Sequence, residues 1–338
     1  MDNLNTRPAP TEITAWIIAA LLLIFILVFH LLPALLAGLL VFELVHIISP
    51  YVAKHLPGQR SKFIALGLLA FTIISLLTLA GIGLVTFLRS DAAGLTLLFD
   101  KMAEIIDGSR EMAPAWLLGY LPADAETLRT SVTAWLRTHA GELQLAGKEF
   151  ARLAAHILVG MVIGGMLAVR EIVPTHHYKP LARAMAERAT RLGTAFRRIV
   201  FAQVRIAAIN ATFTAIYLAV ILPLMGVHLP LTKTMIAITF VAGLIPVIGN
   251  LISNTVIVIV SLSQSLDIAI GSLVFLIVIH KLEYFLNARI VGSQIHARAW
   301  ELLLAMLLME SIFGIVGVVA APIYYAYIKD ELNARGWV

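Results

Sequence analysis

The sequence predicts an all-α, polytopic transmembrane protein with about six full spans, one or two re-entrant or broken helical hairpins, and a small extracytoplasmic helical segment. Three observations carry this. Of 338 residues, 60% are hydrophobic and 13% charged, against about 25% charged in soluble domains, and the mean hydropathy is +0.92. Several uncharged runs reach the roughly 20 residues that cross a bilayer core. Two apolar stretches near the C-terminus are interrupted by glycine and proline, which cost about 1 and about 3 kcal/mol in a helix interior.

Residues 13–29 and 33–48 form two apolar runs joined around Pro33, the pattern of an antiparallel hairpin whose second helix opens with proline. The tail before the first run carries Asp2, Arg7 and Glu12. It lacks the basic n-region of a cleavable signal, so this run is expected to be the first span. A loop with Lys54, Arg60 and Lys62 follows, then a long uncharged run over 63–88. Residues 1–88 therefore form the first three spans.

Residues 89–151 change character, with acidic residues outnumbering basic ones. Leu97, Leu98, Met102, Ile105 and Ile106, then Leu128, Val132, Trp135 and Leu136, are spaced for two amphipathic helices separated by a turn at 119–122. This is the expected extracytoplasmic segment. Residues 152–205 hold span four and a basic stretch with eight Arg or Lys against two Glu over 170–205. There Leu181, Met185, Ala189, Leu192, Phe196 and Ile199 make an amphipathic stripe, expected to lie on the inner leaflet or pack on a neighbour. The positive-inside rule puts both basic loops, 49–62 and 170–205, in the cytoplasm, with the N- and C-termini on the same side. The formal charge of +5 is thus loop charge at the membrane, not a nucleic-acid footprint.

Residues 206–328 are the expected transport core, followed by a cytoplasmic tail at 329–338. Span five, 206–225, contains Asn210. The stretch 234–262 is broken by Gly243, Pro246 and Gly249, followed by Asn250, Ser253 and Asn254. Non-helical backbone at membrane depth persists only where protein buries it or water reaches it, so the reading is a hairpin of two half-helices. After a span at 268–286, the stretch 302–328 is interrupted by Glu310, Gly314, Gly317 and Pro322, as a second hairpin or one kinked helix. Broken helices at matching places in two halves point to a transporter's binding site.

"GLIPVIGN" at 243–250, "HKLE" at 280–283, "RIVG" at 289–292 and "FGIVGVVAAP" at 313–322 together resemble the autoinducer-2 exporter (AI-2E) family, over nearly the whole chain. The resemblance implies an oligomeric integral protein of the bacterial inner membrane. Members are linked to export of a signalling molecule or to sodium/proton exchange. It carries over Gly243, Pro246 and Gly249 as the hairpin motif, Glu283 as the acidic residue of the next span, and Gly292, Gly314, Gly317 and Pro322 as the last block. "HARAW" at 296–300 and Asn250 depart from the family pattern, so this is a divergent branch and its substrate does not transfer.

The candidate pathway residues are therefore Asn210, Gly243, Pro246, Gly249, Asn250, Asn254, Glu283 and Glu310. Intramembrane carboxylates are costly and commonly functional, and desolvation lets such a group carry a proton. The amides supply uncharged donors and acceptors for a small polar solute or an ion, or simply hydrogen-bond between helices. Glu43 and His46 share a face of the second span and read as structural or interfacial. The expected partners are a small solute, H+ or Na+, membrane lipid and further copies of the chain. No cofactor or metal is expected: there is no HExxH, no phosphate-binding glycine loop, no nucleophile elbow and no cysteine, and His176 and His177 have no carboxylate at ligand spacing. The leading expectation is a secondary transporter or exporter, not an enzyme. A Na+/H+ antiporter, a passive channel and a non-transporting scaffold are the alternatives.

Overall fold

The computed structural model describes residues 9–54, 59–89, 125–170, 178–245, 248–262, 264–295 and 298–337; some side chains within those segments, that of Glu283 among them, lie outside the description. Also outside it are Pro246, the expected amphipathic helix over Leu97–Ile106 and the turn at 119–122. Among the described residues every regular element is helical: α1 (Pro10–Val28), α2 (Leu32–Ala53), α3 (Gln59–Arg89), α4 (Ala125–Thr138), α5 (Ala140–Val169), α6 (Pro180–Ile216), α7 (Thr232–Gly243), α8 (Ile248–Leu262), α9 (Leu266–Ile295) and α10 (Ala299–Asn333). Five described segments are long and apolar enough to cross a membrane: Pro10–Val28, Leu32–Ala53, Ala140–Val169, Pro180–Leu224 and Trp300–Asn333.

The chain divides into two compact units. The first contains residues 1–74, 150–202 and 287–338; the second contains 75–149 and 203–286. Both expose apolar side chains outward, such as Leu21, Phe71 and Leu307 in the first and Ile259 and Val274 in the second. Inside the second unit, Asn210, Thr214, Ser253, Ser261 and Ser272 are buried among apolar residues such as Leu218 and Met235. An apolar exterior, with polar side chains kept inside, is the arrangement that suits lipid as solvent.

In the first unit, α1 turns into α2 through His30, whose φ of 55° is a left-handed conformation uncommon for a side chain with a Cβ. The Leu31 N–H reaches back to the Ile26 carbonyl at 2.8 Å, which caps the end of α1. Helices α2 and α5 then cross where glycines allow backbone-to-backbone approach. A methyl on Gly38 would lie 2.8 Å from the Gly160 carbonyl oxygen, and methyls on Gly160 and Gly164 would overlap the Ala34 and Gly38 carbonyls.

The expected basic amphipathic helix and fifth span are one continuous element. α6 runs on through a π-helical turn, Tyr217–Ile221, and a last turn, Leu222–Leu224. Pro223 accounts for the irregularity, because it brings no N–H to the helical ladder and its ring crowds the preceding turn.

Both interrupted stretches fold back on themselves. α7 and α8 pack together, with Met235 and Ile257 in one core cluster, and Gly249 lies so close to the Ala242 carbonyl that a methyl there would overlap it. α10 is broken at Gly314 (φ 60°, ψ −145°). Glu301 on its first arm accepts hydrogen bonds from the Tyr325 hydroxyl and, at 3.0 Å, from Lys329 on its second. In a straight helix residues 301 and 325 would stand about 36 Å apart. These bonds bring the start and the end of α10 together across the break at Gly314. Gly317 allows the close approach beside the break, since a Cβ on it would overlap the Met309 carbonyl.

Gly164→Val is expected to destabilise the detergent-solubilised protein by about 1–3 kcal/mol through overpacking, read as a lower melting temperature. Gly67→Ala, which meets nothing within 4 Å, should leave the melting temperature unchanged or raise it.

Candidate functional site

In the second unit one face of α6 carries Gln203, Ala207, Asn210, Thr214 and Tyr217 at alternating spacings of four and three. That is a single stripe of a 3.6-residue helix. The stripe meets the α7–α8 hairpin at its broken end. The Gln203 amide donates to the Gly243 carbonyl at 2.7 Å, satisfying an acceptor left over where α7 stops. Ala207 packs beside Gly243, where a methyl would come within 3.3 Å of the Ala207 Cβ. One turn on, the Asn210 amide donates to Asn250 Oδ1 at 3.1 Å, with both residues buried. Ser253, 1% exposed, donates to the Asn250 carbonyl at 3.3 Å.

Further along, the Tyr217 hydroxyl lies 3.0 Å from Ser272 Oγ, which lies 2.7 Å from Ser261 Oγ. This buried chain of hydroxyls ties the π-helical turn to α8 and α9. The Tyr217 ring stacks on Phe275 at 3.9 Å. Between the amide pair and the hydroxyl chain sits Thr214, 1% exposed, whose hydroxyl has no hydrogen-bond partner. An unpaired buried hydroxyl costs about 1–3 kcal/mol. The whole seam extends about 21 Å along α6 and its described side chains are uncharged.

Four predicted residues come together here: Asn210, Gly243, Gly249 and Asn250. Asn254 is half-buried beside Ser253 on α8. Pro246 and the Glu283 side chain lie outside the description, though the α9 backbone carries Glu283 about three turns after Ser272. Glu310 belongs to the first unit, exposed on the first arm of α10 near exposed Leu308 and Ile312. Gln203, Thr214, Tyr217, Ser261 and Ser272 were not singled out by sequence reasoning. The stripe of small and polar residues along α6 was the signal that could have found the first three. Glu43 is buried 3.9 Å from Arg197, in keeping with a structural role. Among the described residues no cluster of His, Asp or Glu is arranged to hold a metal ion.

Long apolar helices that expose their apolar side chains mark a multi-pass membrane protein. The chain belongs to the AI-2E family: the model of AI-2E family transporters matches residues 13–335. No curated protein and no solved structure matches it.

Asn210→Leu alone removes the donor to Asn250 Oδ1, whereas Asn210→Leu with Asn250→Leu removes both partners. A double-mutant cycle on thermal stability in detergent is expected to give a coupling of about 0.6–1.7 kcal/mol, with the double variant more stable than the sum of the singles.

Proposed function

We propose that the protein is a secondary transporter that moves a small solute out across the bacterial inner membrane along the polar seam, with the α7–α8 hairpin as the moving wall. The observation that carries this reading is the docking of a broken hairpin end on α6 through the Gln203–Gly243 and Asn210–Asn250 hydrogen bonds. These bonds are neutral and few, worth only about 0.6–1.7 kcal/mol each in a membrane. The arms are also short: α7 has 12 residues and α8 has 15, about 18 and 22 Å. Neither crosses a hydrocarbon core of about 30 Å. A hairpin held by weak bonds at membrane depth can part from α6 and let a polar solute exchange with the same amides and hydroxyls. Energy comes from H+ or Na+, taken by Glu283 or Glu310.

The terminal hairpin re-enters. Glu301 near its start bonds Tyr325 and Lys329 near its end, so both ends share one side of the bilayer. The pairing of Arg335 with Glu12 supports an N-terminus on that same side. The basic residues Arg191 and Arg198 pair there with Glu331 and Asp330, and the positive-inside rule makes it the cytoplasmic side.

Two measurements check this. In liposomes with imposed pH or sodium gradients, the protein is expected to show gradient-dependent flux, lost in Pro246→Ala or Glu283→Gln variants that still insert. Unchanged flux in both would remove the site assignment, gradient-insensitive flux would identify a channel, and no flux under any gradient would leave a scaffold. Because the chain has no native cysteine, Trp300→Cys and Asn333→Cys can each be labelled from one side of sealed vesicles. Both are expected to react with the same impermeant reagent from the same side; labelling from opposite sides would mean that the last segment crosses.

A further inference from the structure

Within the first unit, α1 and the terminal hairpin enclose an open groove of about 540 Å³, in the size range of small-ligand sites. Its walls are Leu23 and Leu27 of α1 and Ala305, Leu308 and Phe313 of α10. Its floor is sealed where the Tyr324 hydroxyl donates to the Leu23 carbonyl at 3.3 Å. The charged and indole groups of its lining, Glu331, Trp16 and Trp337, gather at one end. There the Trp16 indole donates to Glu331 at 3.2 Å, and the Trp337 ring lies 5.9 Å from that of Trp16. Arg335 and Arg188 stand over the Trp16 ring at 5.1 and 5.5 Å. Arg335 pairs with Glu12, and Arg191 with Glu331.

We propose that this groove holds one acyl chain of an anionic membrane phospholipid, with the phosphate at the Arg335–Trp337 rim. Depth is the first argument. From Trp16 to Leu27 the groove follows α1 for about 16 Å, close to half of a hydrocarbon core of about 30 Å, which is the depth of one leaflet. The second is the placement of the aromatic residues, since tryptophans settle at headgroup level and both lie at the polar end. The third is charge. Four guanidiniums in the network at this end, Arg183, Arg188, Arg191 and Arg335, stand against three carboxylates, Glu12, Glu187 and Glu331, leaving one more cation than anion. Arg335 has five N–H donors, and its side chain is 23% exposed. The exposed Trp337 indole adds a donor beside it. A phosphate bound there places its chain in the groove and braces α1 against the hairpin.

The full-length protein would be reconstituted with phosphatidylglycerol bearing a photoactivatable acyl chain, in parallel with phosphatidylcholine bearing the same chain, and adducts mapped by mass spectrometry. Phosphatidylglycerol adducts on the groove-lining segments of α1 and α10 are expected to exceed those around the exposed Ile163 several-fold. Ala20→Phe or, independently, Ala305→Phe should cut the groove adducts several-fold and leave those at Ile163 unchanged. Arg335→Gln should equalise the two lipids. Adducts spread evenly over exposed apolar faces, equal groove labelling by both lipids in the unaltered protein, or crosslinks there to a second copy of the chain would each overturn the proposal.

Discussion

In hydrocarbon no backbone N–H or C=O can be left to solvent, and a helix that stops inside the membrane must hand its leftover groups to protein. The two breaks at Gly243–Gly249 and Gly314–Gly317 satisfy this by close approach and borrowed donors. Gly249 and Gly317 let the returning arm lie against the Ala242 and Met309 carbonyls. Gln203 supplies a side-chain N–H to the Gly243 carbonyl. The Glu301 carboxylate, taking hydrogen bonds from Tyr325 and Lys329, ties the arms of the terminal hairpin. Proline and glycine in these stretches lower the cost of breaking a helix, and the neighbouring side chains make the broken state tolerable.

The same constraint explains why polar residues collect inside. In lipid the apolar surface of a helix gains little by burial, so association rests on packing of small residues and on a few hydrogen bonds. Gly38, Gly160 and Gly164 serve the first unit in this way. In the second unit Asn210–Asn250 and the Tyr217–Ser272–Ser261 chain serve it, and Thr214 keeps a hydroxyl with nothing to bond. On the transport reading proposed above, groups that bond one another here are the ones that would bond a solute when they separate.

Much of this was legible in the sequence. Apolar run lengths gave the helical membrane class, Pro33 opened α2 where proline is tolerated, and the residue patterns around 243–250 and 313–322 marked both breaks and carried the family resemblance. Asn210 and Asn250 were recognisable as intramembrane polar groups, but their pairing was not, because a contact between residues forty apart depends on how α6 docks. The continuity of α6 was obscured by its change from basic to apolar surface near Arg205. Nothing in that change alters helix propensity, so one helix runs through it. The hydroxyl chain was hidden because Ser261 and Ser272, each alone in an apolar run, look like any serine that bonds its own helix.

The central claim is that the α7–α8 hairpin moves against α6 during transport. It is tested most directly by locking the two together. A methyl at Gly243 would lie 3.3 Å from the Ala207 Cβ, close to the 3.5–4.5 Å that a disulfide needs, and no native cysteine interferes. In liposomes, Ala207→Cys with Gly243→Cys is expected to carry solute when reduced, to stop when oxidised, and to recover on reduction. Full flux through the quantitatively oxidised protein would contradict the account.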